Sequence, residues 1–295
     1  MGRVIKTERF NCGLSVFSST VTRDFYNMVN SASVGRIFYG VAMFGMGIQT
    51  IYQRDFLYMF IPPDHSRIPG LALIASLFGA ILILSGASIV LTKKIQAGTL
   101  VLGILLLLIF CFYFVPYEFL STSNYMHLGE WENAIKELSL SAGAFVIAER
   151  FICSDSRFLP RFIVKLLPFG ATLYGLTILS FGINHFLYAK EAAGYVPSWI
   201  PIPIFWIYFA GAGLIGSSVA IILKVKTRLF SFLLGAMIFT WVIILHIPKV
   251  IGAASADDRA GEMTSALLAL AYCGIAFVIA GDSSRPQREP GTEKS

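Results

Sequence analysis

The sequence predicts an all-α, polytopic membrane protein of about eight transmembrane helices, arranged as two parallel four-helix bundle repeats. Composition is the first reason: 56% of residues are hydrophobic, only 14% are charged, and mean hydropathy is +0.72, far from the soluble norm. Internal repetition is the second. Gly35–Arg36–Ile37–Phe38–Tyr39–Gly40 is echoed by Gly170–Ala171–Thr172–Leu173–Tyr174–Gly175, an offset of 135 residues (35 to 170). Gly129–Glu130 is echoed by Gly261–Glu262, and Ala144–Phe145–Val146–Ile147–Ala148 by Ala276–Phe277–Val278–Ile279–Ala280, an offset of 132 (129 to 261). A period of this length is too long for a solenoid unit and marks a duplicated domain.

Each element follows from a run of about 20 apolar residues, the length a bilayer core requires. Such runs occupy 35–52, 69–92, 97–117, 132–152, 166–188, 202–223, 228–248 and 263–281, the first and fourth carrying the most polar residues. Strand-like alternation is absent, and backbone groups in lipid must be satisfied within their own segment, so the runs read as helices. Around them lie a tail (1–34), a linker (154–165) and a polar, Pro-containing end (282–295), which flank repeats at 35–153 and 166–281. An even number of helices per repeat sends both halves into the membrane in the same sense, unlike inverted transporter repeats.

Charge orients the chain. Sixteen of the 23 Lys and Arg fall on one side of the predicted spans, five on the other, and Arg36 and Lys136 lie within helices. The rich side is cytoplasmic, which puts both termini inside a cell inner membrane. The net charge of +6 belongs to this sidedness; it carries no nucleic-acid footprint, and the partner it implies is the lipid bilayer.

In the second half, Gly182–Ile183–Asn184–His185–Phe186, Tyr195–Val196–Pro197–Ser198–Trp199–Ile200–Pro201 and Phe205–Trp206–Ile207–Tyr208 follow one another. These runs resemble the DoxX/DoxD-like integral membrane family, and Trp131 to Leu138 resembles its last helix. The likeness spans two fused four-helix units. In the first half Thr50 stands where His185 does, and Pro63–Asp64–His65 stands for Ser198–Trp199–Ile200. The resemblance implies an accessory or anchor subunit of a membrane redox or quinone-linked system, with a membrane-associated oxidoreductase as partner and no catalysis of its own.

Polar residues gather at the predicted outer ends of the helices. Gln49, Asn184, His185 and His246 end outgoing helices; Glu130, Asn133, Lys136, Glu137 and Glu262 begin returning ones. Asn133, Lys136, Glu137 and Leu140 share one helical face, and ionisable groups at that depth are costly unless paired or wetted. They read either as an outward-facing polar cavity or as side chains at headgroup depth that bond to water and lipid. No His pair has metal-ligand spacing, Cys12, Cys111, Cys153 and Cys273 form no C-x-x-C, and haem, metal, flavin and phosphate-loop motifs are absent. Beside the redox-subunit reading stand two others: a small-solute or lipid carrier, and a non-catalytic scaffold. The Pro-bearing outer loops, Phe60 to Pro69 and Tyr195 to Pro201, are candidate lids.

Overall fold

A computed structural model describes residues 11–62, 68–91, 95–122, 126–151 and 165–282. The expected linker (154–165) apart from Lys165, the expected end (282–295) apart from Asp282, and residues 1–10 of the expected tail lie outside these residues. Eight long helices run through the described chain: α1 (Asn11–Gln53), α2 (Leu71–Leu91), α3 (from Ile95–Ile109 through Val115–Leu120), α4 (Glu132–Arg150), α5 (Gly170–Leu187), α6 (Pro203–Ile222), α7 (from Thr227–Trp241 through Ile247–Gly252) and α8 (Ala256–Asp282). No strand occurs among the described residues. α1 begins at Asn11, so the segment read as a tail before residue 35 is helical over most of its length.

Six of these helices are long and apolar enough to cross a membrane: Leu71–Leu91, Gly98–Leu120, Leu167–Leu187, Pro203–Ile222, Thr227–Gly252 and Ala256–Gly281. Neither α1 nor α4 is among them. α1 carries Arg36 and Gln49; α4 carries Glu132, Lys136, Glu137, Glu149 and Arg150. The packing accounts for α4. Its residues from Ser139 to Ala148 are buried without a break, so its surface faces other helices and does not need to match lipid. α8 is the other enclosed helix, 72% buried, where the remaining candidate spans are between 22% and 44% buried. α4 and α8 meet at the centre, where a Cβ on Gly143 would strike Ile275. α1 packs on α8 and α2, α3 on α4, α5 on α4 and α6, and α7 on α8.

The same contacts recur at the sequence offsets. Gly35 abuts the backbone of Gly274 and Val278, and Gly170 abuts Ala142 and Val146. Gly103 holds the ring of Phe145, and Gly235 holds Phe277. At each of these four glycines a side chain would collide with the facing helix, which explains small residues at crossings where dispersion does the packing. Tyr39 and Tyr174, both fully buried, donate their hydroxyls to the carbonyls of Leu140 and Tyr272 at 2.6 and 2.8 Å.

Proline shapes α3 and α7 in the same way. Pro116 and Pro248 cannot donate to the helical ladder and crowd the carbonyl four residues back. In both helices the preceding turn widens to a π-turn, Phe110–Phe114 and Val242–His246, and the next N–H bonds five residues back, Val115 to Phe110 and Ile247 to Val242. Each helix therefore continues past its proline.

Candidate functional site

Sequence reasoning places nine polar residues around one outward cavity; the structure distributes them among separate settings at one end of the bundle. The first surrounds Lys136. Its amino group lies 2.6 Å from Glu132 Oε1 and 3.4 Å from Asn133 Oδ1, and it stands 5.2 Å above the ring of Tyr58. Helical spacing brings the first two contacts, since residues three and four apart share a face. Tyr58 comes from the turn after α1, and its hydroxyl is 3.3 Å from Ser265 on α8. Tyr272 of α8 donates to the Lys136 carbonyl at 3.3 Å and packs its ring 5.6 Å from Phe181 of α5. His185, one turn on from Phe181, bonds through Nδ1 to the Phe181 carbonyl at 2.8 Å. That bond makes Nδ1 the donor and leaves Nε2 as an acceptor. The Glu132 carboxylate is near enough to act electrostatically on both His185 and Tyr272.

The second setting lies between α7 and α8. Lys249 pairs with Glu262 at 3.2 Å, and its amino group sits 4.3 Å over the ring of Tyr195. His246 is close by, with a buried Nδ1 that has no hydrogen-bond partner. Gln49 is apart from both groups: its amide donates to Ala260 O at 2.6 Å and Thr264 Oγ1 at 2.8 Å, which ties α1 to α8. Asn184 has a buried Oδ1 with no partner, and Glu130 is exposed.

Glu137 stands alone. It is fully buried in α4, and among the described residues neither carboxyl oxygen has a hydrogen-bond partner. Tyr39 of α1 and Cys111 of α3 are its electrostatic neighbours, but the Tyr39 hydroxyl is already committed to Leu140. A buried polar group left unpaired is rare enough to require an explanation.

The same end of the core also takes up the turn after α1. After α1 the chain turns back and inserts Phe56, Leu57, Met59 and Phe60, each at most 7% exposed, into that end of the core. Phe56 and Phe60 pack on Phe78 of α2 at 5.4 and 4.9 Å. These residues form a plug just ahead of the first candidate lid, Phe60 to Pro69, which shares only Phe60 with it; residues 63–67 of that segment lie outside the described chain. The second, Tyr195 to Pro201, is a series of turns; Ile202 adopts a left-handed conformation (φ 52°) before α6 starts at Pro203. A cavity of about 890 Å³ opens at the opposite end between α1, α7 and α8.

Tyr58, Glu132 and Tyr272 were missing from the expected set. The Glu132–Lys136 spacing of four was a readable signal; Tyr272, inside an apolar run, gave none. Among the described residues no three of His, Cys, Asp and Glu converge as a metal site. Comparisons of the chain with protein-family models, with curated proteins and with solved structures find no match.

Proposed function

We propose that this chain is a DoxX-like inner-membrane protein of two parallel four-helix repeats, with both termini cytoplasmic, serving as the anchor of a quinone-linked redox system. The repeats consist of α1–α4 and α5–α8, related by an axis along the membrane normal that passes between α4 and α8. The paired Tyr39 and Tyr174 bonds, the paired glycine crossings and the paired π-turns support that arrangement. The observation that carries the functional reading is the convergence of Lys136, Tyr58, Tyr272 and His185 from three helices and a turn. A quinone offers two carbonyl acceptors and a flat ring. Lys136 supplies N–H donors, Tyr58 and Tyr272 supply aromatic faces, and His185 Nε2 can accept from a quinol hydroxyl. Electrons come from the partner oxidoreductase; the chain binds and orients.

A quinone titration of the purified protein in detergent tests this. Saturable binding, weakened at least about tenfold by Lys136→Ala, is expected, in line with loss of a charge-assisted bond. No saturation, with no oxidoreductase in the native complex, would overturn it.

One observation favours a second reading, a proton- or cation-coupled carrier: the unpaired, fully buried carboxyl of Glu137. Intramembrane ionisable groups mark ion and proton pathways. Solute flux in proteoliposomes that is abolished by Glu137→Gln would support the carrier; flux unchanged in that variant would exclude it.

A further inference from the structure

The 890 Å³ cavity has two chemically distinct halves. Lys224, Lys226 and Arg228 line its rim, all exposed, and none joins an ion pair among the described residues. Beneath them, Val34 of α1, Phe232 of α7 and Phe277 of α8 form an apolar wall, the two rings 5.6 Å apart. Three cations without an ion pair among the described residues, set over an apolar cleft, match the charge and shape of an anionic amphiphile.

The backbone fixes the rim. α6 ends with Val225 N–H bonding to Ala220 O at 2.9 Å and Lys224 N–H to Ile221 O at 3.2 Å, the bond pair that usually places glycine at the left-handed position. Here Lys224 takes it (φ 58°), and Lys226 is left-handed too (φ 44°). Glycine would adopt either conformation more cheaply; lysine side chains stand there instead, held at the mouth of the cleft.

The apolar part of the cleft has a closed counterpart in the first half. At the 132 and 135 offsets, Phe232, Phe277 and Ala32 correspond to Leu100, Phe145 and Leu167. Those three pack into a cluster with Ala148, at 4%, 2% and 2% exposure, whereas Phe232 is 49% exposed. The smaller Ala32, in place of Leu167, leaves this part of the second half less filled.

We propose that this cleft binds one anionic phospholipid, its phosphate among Lys224, Lys226 and Arg228 and an acyl chain along Phe232 and Phe277. Basic groups at the membrane boundary attract anionic headgroups. The walled cleft adds a fixed seat to that general attraction.

The test compares the full chain in nanodiscs of phosphatidylcholine alone and of phosphatidylcholine with phosphatidylglycerol, with inorganic phosphate as a separate arm in detergent. Phosphatidylglycerol should raise the Tm by roughly 5 °C, as expected of a ligand near 100-fold above its Kd, and native mass spectrometry should retain one such lipid. Lys224→Gln combined with Lys226→Gln and Arg228→Gln should lose both effects. Val34→Phe leaves the cations in place, fills the apolar half with a ring, and should also lose the lipid. Equal stabilisation by inorganic phosphate, equal stabilisation in phosphatidylcholine alone, or undiminished lipid retention in Val34→Phe would each overturn the proposal.

Discussion

Tyr39 on α1 donates its hydroxyl to the backbone carbonyl of Leu140 on α4 across 2.6 Å, in an interior where neither group reaches solvent. Tyr174 makes the same bond to Tyr272 at 2.8 Å. Both tie the first helix of a half to its last. Removing either hydroxyl should cost about 1 kcal/mol, the usual net worth of such a bond in or out of a membrane. Thermal unfolding of Tyr39→Phe and Tyr174→Phe in detergent should show near-equal losses, and a large inequality would speak against equivalent roles.

Gly35 and Gly274 bring the backbones of α1 and α8 into direct contact. A Cβ on Gly274 would fall 2.5 Å from the Gly35 carbonyl oxygen, and backbone cannot rotate away as a side chain can. Gly274→Ala should therefore destabilise by about 1–3 kcal/mol, the range for overpacking. Gly216→Ala meets nothing within 4 Å and should be tolerated. The difference is measurable as Tm and as monodispersity after purification.

Glu137 should separate stability from function. Burying a carboxyl without partners is unfavourable, so an apolar residue of similar volume should fit better. Glu137→Leu is expected to raise stability by about 1–3 kcal/mol, the desolvation cost of an unsatisfied group. A Tm below that of the wild type would show that the carboxyl has a stabilising partner in the membrane.

Lys136 and Lys249 provide a matched pair of cations over tyrosine rings. Lys249 and Glu262 are about a quarter exposed, at 28% and 26%, so their pair is worth at most about 1 kcal/mol. Lys249→Met should leave quinone binding intact, whereas Lys136→Met should weaken it about tenfold. Equal effects in both variants would remove the assignment of the site to α4.

Much of the architecture was legible in the residues. Runs of apolar side chains can only be helices in lipid, and the recurring Tyr and Gly positions already aligned the two halves before any contact was visible. The Lys136 face was legible too, because residues three and four apart meet on any helix.

What local pattern determines ends there. The sequence by itself determined the helical class, the positions of most helices and the spacing of their contacts, because periodicity and composition are properties of neighbouring residues. Only the tertiary structure decided that α4 and α8 are the enclosed helices, since that depends on burial summed over all their neighbours. It also decided that Phe56 to Phe60 plug one end, for a non-periodic turn carries no signal of where its side chains will go. The open cleft lies at the other end for a similar reason: it arises from a volume deficit between Ala32 and Val34 on one helix and Phe232 and Phe277 on two others, and such a deficit exists only once the three are packed together.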